Sequence, residues 1–380
     1  MKTSRSARVL APLTTLAIVV LALTGCGGGS TGSDGSASGG SVDTAKIDEI
    51  LKPYTTTPDA FPITDALEKK PENATIAYLQ CATPYCAIFA DLLAPAAEKL
   101  GVNFTVTKAD ASASSIQRAA ETILAQKPSA LVVGAIDPSI IKNELAEFDA
   151  AGIPVLANGL IDAADYGIDV AFNDSPADTI YGQVLAAWAV KERGADTNVV
   201  FYNIPELTFS PIIRDAFVST VGELCPSCTV RTKDISVTSI GSTAPQEVVS
   251  DLQANPDTNA AVFASEEAAT GLPAALKVAG LDSQVLVNGF GATPAQLQEI
   301  ADGDLAGSVA VDVPIMMWMV VDAAARLITG QELAPIEKSG IPPAALVAAG
   351  DLEGKDISNG YSVYPDYQDE FAKLWANAAS

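Results

Sequence analysis

The sequence predicts an α/β protein made of two similar doubly wound lobes, each a parallel sheet covered by helices. Three observations predict it. Ten short apolar runs recur along the chain, helix-period segments separate most of them, and several runs exit through Ser, Thr or Asp followed by proline. Near-continuous apolar runs suit parallel strands covered on both faces, and strand–helix alternation implies right-handed crossovers. Ten strands exceed one ordinary doubly wound domain, so the chain divides in two and the cleft between the lobes becomes the default ligand site.

The elements follow in order. Residues 42–73 read as a leader, with "DTAKIDEILKPY" as a short helix and the proline-rich stretch after it as extended chain. The strands are "TIAYLQCA", "VNFTVTKA", "ALVVGAI", "IPVLANG" and "DVAFND", then "NVVFYNI", "TVRTKDI", "AAVFAS", "VLVNGF" and "GSVAVDV". Segments such as "SSIQRAAETILAQ" and "QEVVSDLQA" are the helices between them. Asp137-Pro138, Ser175-Pro176, Ser210-Pro211 and Thr293-Pro294 each supply a capping oxygen followed by proline at the first helical position. Such junctions put polar groups at the carboxyl ends of strands, where open α/β sheets bind ligands. Trp188 and Trp318 fall within helical stretches and read as core.

The N-terminus poses a choice. "LALTGCGGGSTG" at 21–32 fits G-x-G-x-x-G at Gly27, Gly29 and Gly32, and it equally fits a lipoprotein processing site ending in Cys26. A dinucleotide turn needs a helix opening on the glycines. Here Gly and Ser follow without apolar periodicity, which is a flexible linker. Lys2, Arg5 and Arg8 precede an apolar run too short for a membrane span, the form of an export signal. Residues 1–25 are therefore expected to be a signal peptide, and 26–41 a lipidated Cys26 with its linker. The lipid would hold the protein at the outer face of the cell membrane.

Composition narrows the function. The chain carries 22 basic and 46 acidic residues, and loss of the three signal cations leaves a net charge of −27. That disfavours nucleic acid and adsorption to anionic lipid. There is no histidine, which removes Ser-His-Asp and Cys-His nucleophile schemes and His-containing metal sites. No cofactor and no metal are expected. Besides Cys26, the cysteines form two close pairs, Cys81 with Cys86 and Cys225 with Cys228. In an oxidising compartment both favour disulfides, each a local clamp of roughly 2 kcal/mol. Cys225-Pro226-Ser227-Cys228 also has redox spacing, but it follows a helix, where the dipole opposes a thiolate.

From about Thr75 to Leu333 the sequence resembles the type I periplasmic binding proteins, particularly the ribose-binding-like receptors of sugar ABC importers. The likeness is carried by "IAYLQC", "AAEKLG", "ALVVGAIDPSIIKNELAEFDAAGIPVLANG", "AAVFASEEAATGLPAALKVAG" and "VLVNGFGATPAQLQEIADGDLAGSVA". The tail "YPDYQDEFAKLW" is similar to the end of lipoprotein sugar receptors. The resemblance implies an N-terminal lobe of 74–173 plus 313–340, a C-terminal lobe of 174–312 plus 341–380, and a three-segment hinge. It implies a monomer that closes on a small neutral solute, of sugar or polyol type, and delivers it to an ABC permease and its ATPase subunits. No chemistry on the ligand is implied.

Pocket positions carry over unevenly. Cys81 stands where ribose receptors place a hydroxyl, and Tyr85 is the one aromatic available in the shortened loop that follows. Gly159 and Leu160, with Asn158 before them, replace an Asp-Arg clamp. Ile213, rather than Arg214, meets a later arginine, and Gly291 replaces an Asp after Gly-Phe. Glu266 takes the place of an Asn, with Glu267 behind it. Asn173, Phe209, Phe290 and Asp312 sit at predicted strand ends and join the candidate ligand set, with capping, hinge and core roles as their alternatives. The adjacent Glu266 and Glu267 also evoke a glycosidase pair, but neighbours on a strand point to opposite faces. The weak clamp keeps two other readings open, an apolar or aromatic ligand and a tethered sensor without transport.

Overall fold

A computed structural model describes residues 42–82, 84–376 and 378. The signal, Cys26 and the linker lie outside the described residues. The chain opens on α1 (Thr44–Thr55), and the first lobe then runs β1 (Thr75–Gln80), α2 (Pro84–Leu100), β2 (Asn103–Lys108), α3 (Ala113–Gln126), β3 (Ala130–Gly134), α4 (Lys142–Ala150), β4 (Val155–Asn158) and β5 (Val170–Phe172). After α5 (Ser175–Arg193) the second lobe runs β6 (Asn198–Asn203), α6 (Ser210–Leu224), β7 (Thr229–Asp234), α7 (Ala244–Ala254), β8 (Ala260–Phe263), α8 (Leu272–Ala279), β9 (Leu286–Phe290), α9 (Pro294–Ala301) and β10 (Gly307–Val311). The chain ends with α10 (Val313–Thr329), α11 (Pro335–Ser339), β11 (Ala344–Val347), α12 (Ala349–Leu352) and α13 (Tyr367–Ala376).

Two mostly parallel sheets result, ordered β2-β1-β3-β4-β5 and β11-β10-β9-β8-β6-β7. Every one of the ten apolar runs is a strand. The central strands are buried on both faces because helices cover them, α2 and α10 on one side of the first sheet and α3 and α4 on the other. β2 and β7 are edge strands, and their burial is accordingly partial. One strand was not legible. β11 pairs antiparallel with β10, Val309 opposite Leu346, after a proline-rich approach that carries no strand signal.

Two of the four proline junctions cap as expected in outline. Asp137 accepts from Ser139 N at 2.9 Å, and Thr293 forms a capping box with Gln296. At Ser175 the cap is instead Asp174, whose Oδ1 accepts from Ser175 N at 2.6 Å. Ser210 does not cap α6 either. Its hydroxyl accepts from Ile204 N and donates to Asn203 Oδ1, both at 2.8 Å, and so closes the turn after β6.

The chain passes between the sheets at 173–174, at 312 and at 340–343. Asn173 N donates to Gly340 O, and Asp312 N donates to Pro343 O, each at 2.8 Å, so the three passages are laced together. Residues 341–380 do not all complete the second lobe. β11 and α12 do, whereas α13 packs on α2 and α10 of the first. The reason is apolar. Phe371 and Trp375 are buried against Trp318, whose indole stacks on Trp375 with centroids 5.5 Å apart.

Candidate functional site

Parallel strands deliver their carboxyl ends to one edge of each sheet, and those edges hold most of the expected residues. Asn158 ends β4. It is 1 % exposed, and neither atom of its side-chain amide has a partner in the protein. Gly159 turns at φ +66 with open space where a side chain would stand. Asn173 adopts φ 60, and its Oδ1 is likewise buried without a partner. Buried amides without partners are rare, because each costs the hydration it lost. Two such amides stand at the neighbouring ends of β4 and β5.

Cys81 and Cys86 are joined, Cα atoms 5.6 Å apart, tying the end of β1 to the start of α2. Cys81 therefore offers no thiol donor at the place of the family's hydroxyl. Tyr85 stands within the clamped loop, edge-on to Phe89 at 4.9 Å. Burial and the nearby Glu267 carboxylate both push its hydroxyl well above the ordinary tyrosine value. Tyr85 belongs to the first lobe and Glu267 to the second, so the charge of the carboxylate is felt across the two lobes. Cys225 and Cys228 are also joined, beyond the end of α6.

On the second lobe, Phe290 ends β9. Its ring stacks on Tyr181 at 4.7 Å, and Phe209 approaches edge-on at 5.8 Å. Gly291 turns directly after it, at φ +78, and a Cβ there would meet nothing within 4 Å. Ile213 is fully buried, and Arg214 pairs with its neighbour Asp215 at 2.7 Å, so neither replaces the family's arginine.

Two further candidates, Glu266 and Asp312, are fully buried. Glu266 is completely buried beside Gly289, where even a Cβ would come within 3.0 Å of the glutamate's own Cβ. Its neighbours are Ser308 and Glu299, and burial raises its pKa to about 8. Strand alternation explains this, since Gly289 faces away from Phe290. The next carboxylate, Glu267, is half-buried, and its charge acts on Tyr85. Asp312 is the knot of the hinge. Oδ1 accepts from Ile315 N at 3.0 Å, while Oδ2 accepts from Ser362 Oγ at 3.0 Å, Val363 N at 2.6 Å and Tyr364 N at 3.4 Å. Burial lifts its pKa to about 7 against these bonds.

Sequence reasoning missed Asp178, Tyr181 and Asn288, all buried with side-chain atoms that lack partners. The signal was available for Asp178, a carboxylate inside the apolar face of α5. Burial and the charge of Asp174 raise it to about 8. Among the described residues, no cluster of His, Cys, Asp or Glu is placed to hold a metal, and no helix is long and apolar enough to cross a membrane.

Comparison with known families decides the relationship. Residues 77–332 match the model of the periplasmic binding protein domain. The chain belongs to this family. Solved structures agree on the fold of a periplasmic binding protein of type I. An ABC transporter solute-binding protein from Actinobacillus succinogenes 130z with bound D-allose aligns at TM-score 0.65 and 18% identity, covering 74% of this chain and 100% of its own. A 5-methylthioribose transporter solute-binding protein from Thermotoga lettingae TMO aligns at 0.64 and 18%, covering 81% and 99%. One from Bacillus halodurans C-125 with bound myo-inositol aligns at 0.64 and 18%, covering 75% and 97%. No curated protein sequence matches the chain significantly. Periplasmic binding proteins of this family are extracytoplasmic and serve transport by binding a small solute.

Proposed function

We propose that this periplasmic binding protein captures a small neutral sugar or polyol by lobe closure and hands it to an ABC permease. The observation that carries the reading is the chemistry of the facing strand ends. Asn158 and Asn173 offer unpartnered amide atoms, Tyr85, Phe209 and Phe290 offer ring faces, and Glu267 offers an acceptor. The loops after β1, β3, β4, β5, β6, β8, β9 and β10 contain no Lys or Arg. An anionic ligand would meet carboxylates without a counter-charge, whereas hydroxyl groups satisfy amides and acids alike. Three similar folds were solved with allose, methylthioribose and inositol, which supports the same class here.

Within this reading, Cys26 carries the lipid after removal of 1–25, residues 26–41 are the tether, and the monomer works at the outer face of the membrane. The lobes are 74–173 with 313–340, and 174–312 with the first part of the tail. The solute leaves unchanged, for binding energy is spent on closure and not on a reaction.

Thermal-shift measurements against hexoses, pentoses, inositols and sugar acids test the proposal. Tight binding raises stability by RT ln(1 + [L]/Kd). A shift with a neutral polyol and none with its acid is expected. The stack of Phe290 on Tyr181 favours a second reading, a flatter apolar ligand, and aromatic compounds in the same screen would reveal it. A response to sugar acids alone would overturn the neutral class.

A further inference from the structure

We infer that residues 42–73 form a strap across the hinge which bounds how far the lobes separate. The segment precedes the family match at 77–332, and its two ends are fixed to different lobes. At one end α1 packs on α5, α6 and β11. Ile47 and Leu51 are each 2 % exposed, Asp43 N donates to Leu224 O at 2.9 Å, and Lys46 pairs with Glu223 at 2.5 Å. At the other end Ile63 and Leu67 are buried, and the bonds of this stretch run to α10, to the turn after it and to α13. Leu67 N donates to Leu374 O at 3.1 Å, Arg326 Nη2 to Asp65 O at 2.5 Å, and the Gln331 amide holds Glu68 N at 2.8 Å and Ala66 O at 3.0 Å.

Between these anchors the Thr56–Ala60 stretch is exposed chain outside any helix or strand. Five residues reach about 17 Å at full extension, and Pro58 fixes one φ. Relative motion of the lobes is therefore limited by the slack of this link as well as by the hinge torsions. The tail also crosses, but it does so at Asp312, on the pivot, where displacement is small. A bounded opening keeps the binding-competent arrangement more populated, and apparent affinity rises with that population.

The test lengthens the link and leaves both anchors in place. A flexible Gly/Ser insertion of about ten residues between Pro58 and Asp59 adds contour without stiffness. Spin labels at Ser139→Cys and Thr208→Cys, exposed positions after β3 and β6, report the width of the cleft in the ligand-free protein. The expected result is a longer and broader distance distribution than without the insertion, at an unchanged melting temperature. An identical or narrower distribution overturns the strap. If the insertion lowers the melting temperature, Ile47→Ala with Leu51→Ala, which frees α1 alone, provides the second measurement. Lengthening there supports the inference, and an unchanged distribution overturns it. No ligand is needed, so the outcome is independent of the proposed solute.

Discussion

The indole nitrogen of Trp375 donates to Asp322 Oδ1 at 2.5 Å, joining the last helix to the middle of α10 inside the first lobe. The other oxygen of Asp322 accepts from Arg326 Nε at 2.6 Å, and Glu337 stands 3.5 Å from the same guanidinium. Arg326 is 1 % exposed and both acids are fully buried. Burial and the charge of Asp322 hold Glu337 above the ordinary carboxylate range. The cluster thus fastens α10, α11, the leader through Asp65 and the tail through Trp375. Removing the cation leaves two buried acids without a counter-charge, so Arg326→Ala should cost about 3–5 kcal/mol in urea unfolding. Trp375→Phe, which keeps the ring and loses one bond to a charged acceptor, should cost roughly 1.5–3 kcal/mol.

Two helical glycines should respond with opposite signs to the same substitution. Ala usually stabilises a helix interior relative to Gly by roughly 0.5–1 kcal/mol. At Gly222 in α6 a Cβ meets nothing within 4 Å, so Gly222→Ala should raise the denaturation midpoint. At Gly182 in α5 the same atom would stand 2.4 Å from Ile213 O and 2.8 Å from the Ala216 Cβ. Both obstacles belong to α6 and neither is a flexible tip. Forcing the two helices apart costs typically 1–3 kcal/mol, which outweighs the propensity gain, so Gly182→Ala should destabilise. Equal midpoints for the two variants would refute this account of the α5–α6 contact.

The ten strands were legible because apolar runs and helix periods both repeat, and each lobe buries its sheet on two faces. The site was legible in part. Asn158, Gly159 and Gly291, carried over from the resemblance, and Phe290, read as a strand end, do stand at the ends of β4 and β9, since a strand end is a local feature. Asp312 takes the hinge role that stood as its alternative, and the depth at which Glu266 is buried was not legible, both for a common reason. Which face a residue takes after a strand, and whether a distant segment such as Ser362–Tyr364 returns to occupy it, depend on tertiary packing that no local pattern encodes. The split of the tail between lobes was hidden likewise, because the stripe of Tyr367, Phe371 and Trp375 says only that it is covered, not by what.

Stability should fall as pH rises from the acid side. Asp178 and Glu266 have folded values of about 8, against ordinary values of 3.8 and 4.5. Over that window the native state holds protons that the unfolded chain has released, so the slope of unfolding free energy with pH is negative. Their contribution is complete below about pH 4 and lost as pH passes about 8. Urea midpoints at pH 5 should exceed those at pH 8, and Asp178→Asn with Glu266→Gln should flatten the difference. A wild-type midpoint that increases toward pH 8 would show both acids to be ionised in the native state.

The cleft offers a sharper separation of binding from folding. Truncating a bonded buried amide destabilises a protein, but the Asn158 side chain has no bond to lose. Asn158→Ala should therefore leave the melting temperature of the ligand-free protein unchanged or raised. If the amide is completed by ligand hydroxyls, the same variant should lose roughly 1–3 kcal/mol of binding, a fall in affinity of about 5- to 100-fold. Opening the Cys81–Cys86 bridge by Cys81→Ser with Cys86→Ser acts on the same lobe at the end of β1, releasing the loop that carries Tyr85. That variant should lose both affinity and roughly 2 kcal/mol of stability. Cys225→Ser with Cys228→Ser, remote from the strand ends, should lose stability alone. Calorimetric titration with the solute found by thermal shift distinguishes the three patterns, and an unaffected affinity in Asn158→Ala would move the ligand away from the end of β4.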